Sequence, residues 1–243
     1  MKKGEILFVS GIDTGIGKTV ATGLMCRALQ RSGRDWISVK MVQTGCDGFS
    51  EDLDAHRAMA GVGKFPEDIA GLTAPQIFKF PSSPLLASRL ENRKVDLDKI
   101  ASSVEACAAA HDMTLVEGAG GLCVPLTEDV LSIDFAAAHG WRLVLVTCGR
   151  LGAINHALLS LDAAKMRGMS VAGVVHNSFF SDDPRLDDDA VEAISRHLVR
   201  LGFPPRIVRI PRVDDDASGV DGVDFEGILG LSQHNGTTSK DQR

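Results

Sequence analysis

Apolar residues along this chain form two alternating patterns, which are short continuous runs and longer stretches with helical spacing. Ile6–Val9 is a short run followed by Ser10-Gly11, and this is typical of a buried strand. The stretch 18–31 has apolar residues on one side of a helix. The other predicted strands are 36–39, 113–116, 143–147, 171–175 and 207–210, and the other predicted helices are 52–60, 84–90, 97–110, 133–138, 154–166 and 191–201. Strands that alternate with helices predict βαβ units and a mostly parallel sheet.

No linker-like stretch and no internal repeat interrupts this alternation. A single α/β domain can reach the 243 residues of this chain. We therefore predict one α/β domain over residues 1–231, with a mostly parallel central sheet flanked by helices. Residues 232–243 are polar, and we predict a disordered tail there.

Composition narrows the class of protein. The 26 basic and 32 acidic residues leave a net charge of −6, and tyrosine is absent, so a nucleic-acid partner is not expected. The five cysteines show no metal-ligand or disulfide spacing, which indicates reduced thiols. No apolar stretch approaches the ~20 residues that span a bilayer, and none resembles a secretion signal. The expectation is a cytoplasmic protein without a membrane partner.

The strongest chemical signal is the segment 11–19, with the sequence GIDTGIGKT, between a predicted strand and a predicted helix. This is the context of a phosphate-binding P-loop, in which glycines let backbone N–H groups converge on an anion. The helix start adds partial positive charge. Lys18 can reach the β- and γ-phosphates, and the Thr19 hydroxyl can ligate Mg²⁺.

A P-loop needs a second, acidic element to hold Mg²⁺. Glu117 ends the predicted third strand and is followed by a glycine-rich stretch. In an open parallel sheet the carboxyl ends of the strands face the ligand. Asp54 is another candidate ligand, but position alone does not separate it from Asp52, and acidic residues are also common at solvated helix starts.

Several motifs together resemble one family of enzymes. They are segment 11–19, segment 40–45 (KMVQTG), segment 117–121 (EGAGG), segment 149–156 (GRLGAINH) and Asn177, each of which follows a predicted strand. In combination they are similar to the ATP-dependent dethiobiotin synthetases, over about 6–211. The resemblance implies a cyclo-ligase that joins CO₂ to 7,8-diaminopelargonate and closes a ureido ring. It implies ATP as co-substrate, Mg²⁺ as cofactor, and a homodimer with its active site at the subunit interface.

The resemblance also implies roles for individual residues around the nucleotide. The residues implied to act in catalysis are Lys18, Lys40 and Thr14. Those implied to bind ATP are Gly15, Ile16, Gly17, Lys18, Thr19, Val20 and Asn177, of which Asn177 reads the adenine edge. Those implied to hold Mg²⁺ are Thr19, Asp54 and Glu117.

A further set of residues is implied to bind the diamine. Its members are Thr44, Ser83, Gly118, Leu151, Gly152 and Asn155. Segment 151–155 opens a predicted helix, so its N–H groups can bind the substrate carboxylate, and in the family it comes from the neighbouring subunit. Without the resemblance, the segment 81–84 around Ser83 is typical of an ordinary helix cap.

Other readings of the same residues fit less well. A ParA-like switch ATPase is the main alternative, but it carries an additional lysine early in the phosphate loop, and residues 12–15 contain none. A GTPase reads guanine with Asn-Lys-x-Asp, whereas Ser178 follows Asn177. A cobyrinate-type amidoligase needs a glutaminase domain, for which we expect no room.

Two groups of polar residues are given ordinary roles. The seven histidines lack metal-ligand spacing, so we predict that all of them are structural or exposed. The aspartate runs at 187–189 and 214–216 are expected to be solvated acidic surface.

Overall fold

The computed structural model describes residues 4–181, 183–212, 220 and 222–231. The predicted tail at 232–243 and the acidic run at 214–216 lie outside the described residues. Among the helices within the described ranges, none is both long enough and apolar enough to cross a membrane.

Strands and helices alternate along the described chain. The strands are β1 (Glu5–Gly11), β2 (Trp36–Lys40), β3 (Gln43–Thr44), β4 (Ile77–Phe78), β5 (Met113–Gly121), β6 (Arg142–Cys148), β7 (Val171–Asn177) and β8 (Ile207–Ile210). The helices are α1 (Lys18–Ser32), α2 (Glu51–Ala60), α3 (Pro66–Ile69), α4 (Pro84–Leu90), α5 (Leu97–Ala110), α6 (Ser132–Ala138), α7 (Ala153–Met166), α8 (Pro184–Leu201) and α9 (Glu226–Leu229). A 3-10 turn at Ser178–Phe180 follows β7.

The main sheet has six parallel strands in the order β2-β5-β1-β6-β7-β8. A small second sheet pairs β3 with β4. Lys40 at the end of β2 is the register partner of Glu117 in β5, and β1 lies on the other side of β5. The carboxyl ends of these neighbouring strands therefore form one edge, where ligands of open α/β sheets bind.

Two apolar layers cover the faces of this sheet. Alternate residues of a strand point to opposite faces, so Leu7 and Val9 belong to one buried cluster with α1, whereas Ile6 and Phe8 belong to the other with α5 and α7. The predicted α/β class, with a mostly parallel sheet between helices, is confirmed.

The predicted start of α8 is wrong. The predicted helix begins at 191, but α8 begins at Pro184, with the Asp183 side chain capping its first turn. Asp187 was assigned to a solvated surface, yet it is buried and its carboxylate pairs with His176 at 2.7 Å. The first two turns of α8 were not predicted because the aspartate run looks like solvated surface in the sequence, although Asp187 faces inward.

Candidate active site

The phosphate loop connects β1 to α1, and no side chain caps the start of the helix. Gly15 and Gly17 have positive φ angles of 69° and 92°, which favour glycine. Gly17 is the N-cap of α1 and provides no side-chain cap, so no side chain at that position competes with an anion for the first N–H groups. Helix start and loop together have the features of an anion site.

Lys18 is buried at this loop. Its Nζ donates to the carbonyl oxygen of Asp13 at 3.0 Å. Burial, together with the charge of Lys40, lowers the pKa of Lys18 to about 8, although Glu117 and Asp52 oppose the shift. The ammonium is therefore held inside the loop, at the position from which a P-loop lysine meets phosphate oxygens.

A compact polar cluster forms where α1, α2, β2 and β5 meet. The Thr19 hydroxyl donates to Asp52 Oδ1 at 2.5 Å and lies 3.3 Å from Glu117 Oε1. Lys40 Nζ lies 2.6 Å from Asp52 Oδ2 and 2.7 Å from Glu117 Oε1. Two carboxylates thus converge on a single ammonium group, and one hydroxyl lies beside both carboxylates.

The charges in this cluster depend on one another. Burial alone would raise the pKa of the Glu117 carboxyl, but Lys40 and a hydrogen bond from His56 hold it well below its ordinary range. Burial likewise opposes the charge of Lys40, yet Glu117 and Asp52 raise the pKa of its ammonium above the ordinary value. Both groups are therefore ionised within the protein interior.

The oxygen atoms of this cluster fit a magnesium ion. Among the described residues, no group of three or more His, Cys, Asp and Glu side chains could hold a metal ion by itself. Mg²⁺ in nucleotide sites, however, uses one or two carboxylates together with waters and phosphate oxygens. Thr19, Asp52 and Glu117 supply such hard ligands, and the Lys40 ammonium shows that a cation is accommodated between the carboxylates.

The structure disagrees with the sequence prediction about which aspartate of α2 faces this cluster. Asp54 points away, is half exposed, and pairs with Lys64 at 3.7 Å. Asp52 is the residue beside Thr19 and Lys40. Side chains two positions apart in a helix point in directions that differ by about 200°. Only one of these two aspartates can therefore face β5.

The Asn177 side chain contacts the backbone of the phosphate loop. Its Nδ2 donates to the Ile16 carbonyl at 3.1 Å, and its Oδ1 accepts from the Phe179 N–H at 3.1 Å. The side chain is buried. Val20, predicted to contact ATP, is partly exposed on α1. The roles of Asn177 and Val20 in binding ATP stay predictions.

The residues expected to act in catalysis at the diamine or to bind it come from several elements of the fold. Thr14 is exposed and shares a cleft of about 360 Å³ with His156 and Leu159 of α7. Leu151, Gly152 and Asn155 are exposed at the start of α7.

Thr44 ends β3, and its neighbour Gly45 lies against Pro81 in the segment before α4. Ser83 caps α4, with its Oγ accepting from the Leu86 N–H at 3.4 Å. Gly118 follows Glu117 and packs against Phe8. The assignment of these residues to substrate stays a prediction.

Comparison with known proteins agrees with these motifs. A family model described as an AAA domain matches residues 5–215. The ATP-dependent dethiobiotin synthetase BioD of Chlorobaculum tepidum is 44% identical over 90% of this chain and 90% of its own length. A second such enzyme, BioD 2 of Haemophilus influenzae, is 44% identical over 72% of this chain and 92% of its own length. The chain belongs to the dethiobiotin synthetase family.

Solved structures extend the likeness in fold beyond the dethiobiotin synthetase family. A ParA family ATPase from Chlorobium tepidum TLS superimposes with a TM-score of 0.52 at 15% identity, over 93% of this chain and 89% of that one. At this identity the likeness concerns the fold alone. It agrees with the P-loop α/β class predicted from the sequence.

Two residues at the site of this dethiobiotin synthetase family member were not found by sequence reasoning. Asp54 was preferred to Asp52 on the resemblance, and His56 was grouped with the structural or exposed histidines. His56 is fully buried, and its Nε2 lies 2.8 Å from Glu117 Oε2. Asp52 and His56 are four residues apart and so share one side of α2, a spacing that could have revealed the pair.

Proposed function

We propose that this chain is an ATP-dependent dethiobiotin synthetase, which converts 7,8-diaminopelargonate, CO₂ and ATP into dethiobiotin, ADP and phosphate. The observation that carries the proposal is the 44% identity to enzymes of that name over most of the chain. The cluster of Lys18, Lys40, Thr19 and Glu117 at a bare helix start supports it, because phosphoryl transfer needs cations and N–H donors around the γ-phosphate.

The proposed reaction has three steps. One amine of the substrate attacks CO₂ and releases a proton, which gives a carbamate. A carbamate oxygen then attacks the γ-phosphorus of ATP, and ADP leaves, which gives a carbamic–phosphoric mixed anhydride. The second amine attacks the carbonyl carbon, loses a proton and expels phosphate, and this closes the ureido ring.

Negative charge accumulates on the transferring phosphoryl group in the second step. Lys18 and the first N–H groups of α1 would hold the β- and γ-phosphates. Lys40 would exchange its carboxylate partners for oxygens of the carbamate and the γ-phosphate. Thr19, Asp52 and Glu117 would hold Mg²⁺, whose charge neutralises phosphate oxygens when it is bound.

We also propose that two copies of the chain form the working unit. Leu159 and Met166 are exposed at 59% and 84%, and their spacing of seven residues puts them on one side of α7, while Leu151, exposed at 88%, lies just before the helix. A second copy that covers this face would bring segment 151–155 to the partner's diamine. We further propose a cytoplasmic location, in keeping with the five free cysteines.

The test is incubation of the purified protein with 7,8-diaminopelargonate, ¹³C-bicarbonate and MgATP, followed by mass spectrometry. Dethiobiotin that carries one ¹³C atom, formed in equal amount to ADP, is the expected result. ATP turnover without this product would contradict the proposal and favour a ParA-like switch ATPase.

A further inference from the structure

We propose that His56 is a positioning residue for Glu117, kept in one orientation by a chain of hydrogen bonds from Ser38 and Arg57. The inference rests on the proposed function in one respect, which is that Glu117 is taken as a ligand of the nucleotide-bound metal. It concerns how that ligand is held.

The two oxygens of Glu117 have separate partners. Oε1 faces the site, with Lys40 Nζ at 2.7 Å and Thr19 Oγ1 at 3.3 Å. Oε2 points the other way, towards His56 Nε2 at 2.8 Å. The side chains of Glu117 and His56 are both fully buried, so water does not replace either of them in this hydrogen bond. His56 thus determines which oxygen is presented to the site.

The direction of the hydrogen bonds follows from chemistry at the two ends of the chain. Arg57 can only donate, and its Nη1 donates to Ser38 Oγ at 2.7 Å. Ionised Glu117 can only accept, so the Nε2 atom of His56 carries the proton that it receives. In the neutral ring Nδ1 is then an acceptor, and the Ser38 hydroxyl donates to it at 3.1 Å. Every group from Arg57 to Glu117 is satisfied by this one arrangement.

The far end of the chain is firmly anchored. Arg57 is buried and donates to both oxygens of Asp68, at 2.9 Å from Nε and 2.8 Å from Nη2. Its guanidinium carbon lies 4.6 Å from the ring centre of Phe65 and 5.6 Å from that of Trp36. An arginine that is bidentate and stacked on aromatic rings has little freedom to move. It therefore fixes the position of the Ser38 hydroxyl, which in turn orients the His56 ring.

The topology explains why these residues meet. Trp36, Ser38 and Lys40 alternate along β2 and therefore share one face of the sheet, on which α1 and α2 pack. Glu117 lies on the same face, beside Lys40 in register. Groups that orient metal ligands from behind typically change metal affinity 10- to 100-fold when they are removed. We infer an effect of that size for His56.

The experiment measures Mn²⁺ binding to the enzyme–ADP complex by electron paramagnetic resonance, together with ADP binding in the absence of metal. His56→Leu removes the donor to Glu117, and we expect Mn²⁺ affinity to fall about 10- to 100-fold while metal-free ADP affinity stays within about twofold. His56→Gln keeps an amide N–H and is expected to recover most of the loss. Ser38→Ala breaks the chain one step back and is expected to give a smaller loss in the same direction.

A matched control is His197→Leu, because His197 is also buried and hydrogen-bonded, to Asp162 at 2.8 Å on the α7–α8 side. Wild-type Mn²⁺ affinity in His56→Leu, or an equal loss in His197→Leu, would overturn the inference. If His56→Leu does not fold, unchanged Mn²⁺ affinity in both His56→Gln and Ser38→Ala, or loss of Mn²⁺ affinity in His56→Gln as large as in a Glu117→Gln reference, would overturn it. These measurements omit the diamine, so a protein that makes no dethiobiotin but shows the expected Mn²⁺ pattern refutes only the proposed function.

Discussion

The two glycines of the phosphate loop give a paired prediction, because the structure surrounds them differently. A Cβ atom added at Gly15 meets no atom within 4 Å, so Gly15→Ala carries only the strain of a positive φ, about 1 kcal/mol. A Cβ atom at Gly17 would lie 2.2 Å from Asn177 Nδ2. Gly17→Ala must therefore also displace a buried amide from the Ile16 carbonyl, which costs about 2 kcal/mol more.

Thermal unfolding measures this difference. For a chain of this size, about 1 kcal/mol shifts the Tm by roughly 3 °C, so we expect losses of about 3 °C for Gly15→Ala and about 9 °C for Gly17→Ala. ADP titration is the second measurement, and only Gly17→Ala should weaken binding strongly, since the displaced Asn177 lies against the loop. Equal losses of Tm in the two variants would refute the reasoning.

Three further predictions concern the site and the assembly. Asp52→Asn should weaken Mn²⁺ binding to the enzyme–ADP complex about tenfold or more. Asp54→Asn should leave this binding nearly unchanged, because the exposed ion pair of Asp54 with Lys64 contributes only about 0–1 kcal/mol. The reverse order of the two effects would restore Asp54 as the ligand. Lys18→Ala and Lys40→Ala should each lower the kcat for dethiobiotin formation by about 100-fold or more, and near-normal turnover in either would remove its assigned role. Leu159→Asp should convert the proposed dimer to a monomer in sedimentation velocity, and an unchanged mass would argue against α7 as the interface.

The sequence predicted the fold well where local signals and packing agree. The bounds of α4 and α5 match the prediction, and each helix begins after a residue that caps it, Ser83 and Asp96. The start of α8 was missed because the run 187–189 looks uniformly polar, although Asp187 turns inward to His176. A partner that is distant in sequence reversed the local signal there.

The candidate site divides in the same way. The phosphate loop is contiguous in sequence, so its place between a strand and a helix, with Lys18 and Thr19 after the glycines, could be predicted from the sequence. The choice between Asp52 and Asp54 depends on how α2 is rotated about its axis, and this is determined by packing against α1 and β2. His56 was overlooked because its partner Glu117 lies 61 residues further along the chain.

The same packing explains how an acidic pair, with Glu117 fully buried and Asp52 partly buried, persists without a metal ion. Asp52 and Glu117 would repel each other if no cation lay between them, and burial would make that repulsion strong. Lys40 contacts both carboxylates, and Lys18 adds a second positive charge nearby, so the two acids and two lysines carry no net charge together. The same lysine that is proposed to meet the γ-phosphate therefore also stabilises the two carboxylates that are proposed to hold Mg²⁺, before the nucleotide binds. The net charge of −6 for the whole chain does not reveal this local neutrality, because the excess acidic groups lie outside the site.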